Sequence, residues 1–472
     1  MPQEFRSTGV GITVQFEQEH PRLIERKAEF FLPECQPFTV FYKENAKQAV
    51  RQAPDAPSRN SMKTEGWEDP LLRHPCGLRR RAGCPGLRGP PPTRKGGQFM
   101  SLTENPAGLG GRIRYFLGAN TPTGFVGYTD DLYDCRGGWR AFLIKSGPGT
   151  GKNTLMRAVL DAMTARGEEA QTICCSSDPH SLDAILFDRL KLALIDATAP
   201  HIIEPKYWGA VEEIVDLGGC MDNARIHEHA SEVIELTDAC SALHARCRKF
   251  LCAAASLLGD SRRIAQGCTD FPKIARTAAR IGAREFGPPA GKTGREQRRF
   301  LSAVTPEGLV VFHETLQLQC PRIYTIEDEY GAASRELLAD LRRRALEAGH
   351  DCITCACPLA PYDKIEHLVL PELGLAFTTS NSWHKADFPV FRRIHAARFT
   401  DAETLRLKKQ VMSFNRRAAR ELLAEAVRTA EEAKAVHDRM EDFSRTAMDW
   451  DKAAALTRQV VDTFTDIADA AE

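Results

Sequence analysis

The sequence predicts an α/β protein in which one parallel-sheet unit with helical extensions occurs twice in tandem, the second copy degenerate. Three observations predict it. An apolar strand pattern, Ala141-Phe142-Leu143-Ile144, runs into the glycine-rich turn 146–151 and then into an apolar helix start at Leu155-Met156. The segment Phe116-Leu117-x-Ala119-x-Thr121-Pro122-x-Gly124-x-Val126 recurs as Phe300-Leu301-x-Ala303-x-Thr305-Pro306-x-Gly308-x-Val310. Charge-dense runs with apolar residues at helical spacing, 224–259 and 402–441, close the two αβ segments.

The chain has 472 residues, enough for two or three domains with cores of their own. Lys and Arg number 63 and Asp and Glu 63, so no net field steers the chain to nucleic acid or to an anionic membrane, and a partner must be chosen locally. Fifteen cysteines are scattered through apolar runs without the paired spacing of a secreted scaffold, which predicts reduced thiols and a cytoplasmic protein. Cys352, Cys355 and Cys357 have a spacing that could serve a metal, but they fall in an apolar run read as a strand with alternating faces. No apolar run approaches the length that spans a bilayer.

Residues 1–99 lack periodicity and include a basic Pro/Gly-rich stretch at 73–95. They are expected to be a disordered leader, with Met100 as the expected natural start. The first domain is expected over 110–285, a linker over 286–298 and the second domain over 299–472. The linker contains Gly287-Pro288-Pro289-Ala290-Gly291-Lys292-Thr293, which imitates a phosphate loop by eye but has three residues between its glycines and no strand before it.

The turn before Leu155 has the composition of a phosphate-binding P-loop. Gly147, Gly149 and Gly151 let successive backbone N–H groups face one concavity, Pro148 and Thr150 fill the positions between, and Lys152 reaches the β- and γ-phosphates. ATP is the expected nucleotide and Mg²⁺ its expected metal. The pattern departs from G-x-x-x-x-G-K-[ST] at Ser146 and Asn153. Asn153 offers Mg²⁺ only an amide oxygen, and Thr154 is better placed for the α-phosphate. Leu192-Ala193-Leu194-Ile195-Asp196 has the form of a Walker B strand whose acid holds Mg²⁺ through water. Asp178 and Asp183, at the end of the strand-like run 171–175 and just beyond it, are the nearest candidates for orienting water.

The repeat sorts these residues. Laid over 326–337, the glycine-rich turn keeps only Gly149, as Gly331. Lys152 becomes Ser334, and Glu327, Asp328 and Glu329 bring carboxylates toward the phosphate position. Asp196 falls on Thr379. Lysine and acid vanish together, so the second site is expected to be dead. His201 and Glu204 fall on His384 and Asp387, and the surviving His-x-x-acid pair reads as structural.

With Cys-Ser-Ser-Asp-Pro-x-Ser-Leu-Asp (175–183) and Leu-Ile-Asp-Ala-Thr-Ala-Pro-His (194–201) in order after the P-loop, and Asp363-Lys364-Ile365-Glu366-His367-Leu368 in the second copy, the chain resembles an uncharacterised bacterial family of tandem P-loop ATPase-like proteins over about 110–472. The resemblance implies a P-loop NTPase fold, nucleotide contacts from 147–154 and a Mg²⁺-side role for Asp196. The family's loop has Gly at 146 and Ser at 153, and the departures here bear on metal handling and turnover. The expected function is ATP binding with slow or partner-stimulated hydrolysis at one site. The alternatives are a nucleoside or small-molecule kinase and a non-catalytic nucleotide-gated scaffold, and the protein partner or acceptor is unspecified.

Overall fold

The structure, a computed structural model, describes residues 111–471 throughout and, before them, the backbone of four strands. These are β1 (Phe5–Ser7), β2 (Val10–Gln15), β3 (Ile24–Phe30) and β4 (Phe38–Glu44). They pair in sequence order as an antiparallel sheet within a unit, Met1–Pro92, where disorder was expected. The basic stretch at 73–95 lies outside the described residues.

The second unit, Thr93–Glu472, is built from two copies of one topology. The first copy contains β5 (Ile113–Phe116), the hairpin β6 (Gly118–Thr121) and β7 (Gly124–Gly127), β8 (Arg140–Lys145), α1 (Lys152–Ala165), β9 (Gln171–Cys174), β10 (Leu182–Phe187), β11 (Leu192–Asp196) and β12 (Glu212–Asp216). Its arm is α2 (Asn223–Glu228), α3 (Ala230–Gln266) and α4 (Phe271–Glu285). The second copy contains β13 (Glu296–Arg299), the hairpin β14 (Ser302–Thr305) and β15 (Gly308–Val311), α5 (His313–Gln319), β16 (Arg322–Glu327), α6 (Ala332–Glu347), β17 (Cys352–Cys357), β18 (Ala360–Leu370), β19 (Leu375–Ser380) and β20 (Arg392–His395). Its arm is α7 (Ala402–Leu407), α8 (Lys409–Ala447) and α9 (Trp450–Asp469).

The two six-stranded sheets run β5-β9-β10-β11-β8-β12 and β13-β17-β18-β19-β16-β20, the same order strand for strand. Each is mixed rather than parallel. β10 and β18 run against their neighbours on both sides, while the other pairings are parallel. The expectation of purely parallel sheets fails because β10 returns from β9 and hands over to β11 through short connections, which only antiparallel neighbours allow. β8 and β11 are apolar in runs, and these two and β9 are buried on both faces, as interior strands are.

The copies meet around a pseudo-two-fold contact. Phe116 N donates to Phe300 O at 2.8 Å and Phe300 N to Phe116 O at 3.0 Å, two residues that the sequence repeat already equates. The arms are exchanged. Phe464 of α9 packs on Phe142 (ring centroids 4.8 Å apart) and Phe187 of the first sheet, whereas Ile274, Ala278 and Ile281 of α4 join Leu337 and Leu341 of α6 in the second core. The crossings are matched pairs: Asp222 N to Ala447 O and Asp449 N to Cys220 O, both 2.8 Å, repeat as Asp401 N to Cys268 O and Asp270 N to Phe399 O, both 2.7 Å. Each of these four aspartates caps a helix that starts at the next residue. Between the crossings, α3 and α8 lie antiparallel on a seam that includes Cys247, Leu251, Ala254, Leu423, Ala426 and Ala430.

Candidate functional site

β8 ends at Lys145 and α1 begins at Lys152, so loop 146–151 must reverse the chain at the C-terminal end of this interior strand. It does so through Gly149 and Gly151, at φ 72° and 93°, values that a side chain would strain. Gly151 leaves the helix without a side-chain cap. Among the described residues, no acceptor meets the backbone N–H groups of Gly149, Gly151, Lys152 or Asn153, while Thr150 closes a turn on Gly147. The loop is held from behind: Thr150 Oγ1 donates to Gly147 O at 2.9 Å and receives the Ser146 hydroxyl. Open donors at a helix N-terminus, with its partial positive charge, suit an anion.

The second copy shows such a seat filled. Loop 328–331 is two residues shorter, so Gly331 (φ 71°) takes the helix-capping place of Gly151. This corrects the sequence alignment: Ala332 stands at the position of Lys152, and Ser334 at that of Thr154. Asp328, in the place of Ser146, turns its buried carboxylate onto the helix and accepts from Tyr330 N (3.2 Å), Gly331 N (3.1 Å) and Ser334 N (2.7 Å). Glu327 and Glu329 point elsewhere, to Arg393 and His395 and to Ser382 and Arg416. The second site is therefore closed by one internal anion rather than by three repelling ones.

Around the first loop, Lys152 Nζ donates to Gly147 O at 2.7 Å and lies 3.5 Å from Asp196 Oδ2, so the expected lysine and acid do meet. Asp196 Oδ1 accepts from Thr198 N at 3.1 Å and from the Thr198 hydroxyl. Asn153 is turned away from them, its Oδ1 accepting from Leu182 N at 3.3 Å and tying α1 to β10. Thr154 is exposed on the first turn, and Pro148 is half-buried in the loop. Asp178 stabilises its own turn, accepting from His180 N, and lies 3.5 Å from Lys434 of α8.

Asp183 is buried, with Oδ2 3.1 Å from His201 Nε2. Burial pulls the His201 pKa down, but Asp183 beside it and Asp196 beyond reverse the sign, leaving it raised. The partner of His201 is thus Asp183; Glu204 is bound by Lys145 Nζ at 2.6 Å. Sequence spacing pointed to the wrong acid because the pairing crosses strands.

Two contacts had no signal in the first copy's own sequence, because they come from the other arm. A Cβ on Gly149 would lie 2.5 Å from Glu441 O of α8, and one on Gly151 would lie 3.2 Å from the Trp450 indole of α9. The loop therefore has glycine where the second copy's arm is laid against it.

Comparison of the chain with protein-family models, with curated proteins and with solved structures gives no match. No helix among the described residues is long and apolar enough to cross a membrane.

Proposed function

We propose that the chain binds one nucleoside triphosphate, ATP, at loop 147–154, and that it is a slow or partner-stimulated ATPase of the tandem P-loop type it resembles, working in the cytoplasm. The observation that carries the reading is the contrast between the two helix starts: open backbone donors beside Lys152 in one copy, and the same place taken by Asp328 in the other. A carboxylate bound at the second helix start supports reading the first as a seat for an anion of similar reach.

In this reading the N–H groups of Gly149 and of 151–153 bind phosphate oxygens, and Lys152 leaves Gly147 O to neutralise β/γ charge. Asp196 lies beside Lys152, and a carboxylate there fits the outer shell of a hydrated divalent ion; Mg²⁺ would draw charge from the phosphate oxygens. Asn153 keeps its amide on β10 and serves the start of α1 rather than the ion. Asp183 and His201 form a buried acid–base pair on the same copy. The engagement of Asn153 and the contact of α8 and α9 with the loop favour a second reading, a nucleotide-gated scaffold in which binding is read out through the arms. Equilibrium binding of labelled ATP, with phosphate release followed in parallel, tests both. Lys152→Ala should lower affinity by about a hundredfold, on the scale of one lost charged contact. Unchanged affinity in a folded Lys152→Ala variant refutes the site, and tight binding with no phosphate release selects the scaffold.

A further inference from the structure

Beside the loop, the first copy brings together three groups that the nucleotide reading does not use as a set. Cys175, Asp183 and His201 offer a sulfur, a carboxylate oxygen and an imidazole nitrogen, all within 4.8 Å of one another. Asp183 and His201 are buried and Cys175 is half-buried. Although Asp183 Oδ2 and His201 Nε2 are 3.1 Å apart, Oδ2 makes no aligned hydrogen bond, and neither does His201 Nδ1. Their 3.1 Å separation is one that fits two ligands on one centre.

The second copy carries the same three residue types beside a cation. Strand register equates Cys175 with Cys357, Asp183 with Glu366 and His201 with His384. Asp183 and Glu366 both occupy the extra residue of a bulge, in β10 and in β18. The trio is duplicated, but the second copy adds a cation of its own: Lys364 Nζ lies 2.7 Å from Glu366 Oε1, and Glu366 is also within 3.5 Å of His384 Nε2. The residue in the place of Lys364 is Ser181. Among the described residues no lysine or arginine pairs with Asp183. A buried carboxylate requires a counter-charge; besides the histidine that both copies keep, the second copy supplies an ammonium and the first, among the described residues, does not.

We infer that Cys175, Asp183 and His201 bind a divalent transition-metal ion, of the Zn²⁺ class, at the position that Lys364 fills in the second copy. Mixed S, N and O donors suit Zn²⁺ or Co²⁺ and not Mg²⁺. On binding, the Cys175 thiol releases its proton to solvent and the thiolate donates its pair to the metal. Three protein ligands leave a fourth position open, the pattern of sites that activate water. Asp196 is not one of the three ligands, although its charge reaches His201, and the proposed site does not depend on nucleotide.

The test uses the full chain, untagged, stripped of metal by chelator and titrated with Co²⁺ in the absence of nucleotide. One equivalent should bind, giving visible d–d bands of tetrahedral intensity and a near-ultraviolet thiolate-to-cobalt band. Cys175→Ser should remove the thiolate band, and His201→Ala should weaken binding by more than about tenfold. Cys357→Ser should leave both unchanged. Ser181→Lys, which installs the second copy's own solution, should keep the fold and abolish Co²⁺ binding. Absence of bound Co²⁺, or a thiolate band that survives Cys175→Ser or Ser181→Lys, overturns the assignment.

Discussion

Replacing Asp328 by alanine tests whether one carboxylate closes the second seat. The carboxylate accepts from three backbone N–H groups, at 2.7, 3.1 and 3.2 Å, in a place where Asp328 is only 5 % exposed. A buried donor left unpaired costs about 1–3 kcal/mol, so three set a gross loss of about 3–9 kcal/mol. Water entering the vacated space recovers part of it, and about 3 kcal/mol is the expected net loss. Urea unfolding followed by circular dichroism and tryptophan fluorescence reads it as a lowered midpoint. The variant should also gain a property: inorganic phosphate should raise its midpoint more than the parent's, because Gly331 and its neighbours then offer a second open seat. At a hundred times the dissociation constant that gain is about 2.7 kcal/mol. A loss under about 1 kcal/mol, together with no extra response to phosphate, would show that the carboxylate is incidental and that the contrast between the copies carries no functional meaning.

Three further outcomes are expected. Asn153→Ser removes the acceptor of Leu182 N and should cost about 1 kcal/mol in unfolding, while its hydroxyl should raise Mg²⁺-dependent phosphate release roughly tenfold with little change in metal-free nucleotide affinity; unchanged release counts against hydrolysis. Trp450 lies against Gly151, so nucleotide should change its fluorescence and Trp450→Phe should abolish the change; a signal that persists comes from elsewhere. On the α3–α8 seam, His244 and then His437 hold the Cys240 thiol down to about 6, and Cys240 and then Glu441 hold His437 up to about 9. A lowered acid is charged above its folded value, so thiolate absorbance assigned by Cys240→Ser should persist at pH 7 and vanish as pH falls through about 6, and a midpoint near the ordinary thiol value of 9 would contradict the arrangement.

Much of the frame was legible in the residues. The recurrence of Phe116-Leu117 at Phe300-Leu301 anticipated the two matching sheets, and the buried run Ala141–Ile144 before a glycine-rich turn placed the strand-to-helix loop. The direction of β10 was not legible, because a short apolar run reads the same in parallel and antiparallel company. Lys152 and Asp196, both singled out by motif, lie 3.5 Å apart. The Asp183–His201 contact was missed in favour of Glu204, because spacing along a chain says nothing about which residues two adjacent strands bring side by side. Asp328 looked like one of three repelling acids until backbone geometry turned it onto the helix. The exchanged arms, and with them Glu441 and Trp450, were beyond reach, since a repeat detected in sequence does not tell which sheet its last helix covers.

Calorimetry of the full chain with ATP and Mg²⁺ tests most directly whether one anion seat is open and the other closed. A stoichiometry near one, lost in Lys152→Ala, is expected. A stoichiometry near two, or binding that survives Lys152→Ala in a folded protein, would contradict it.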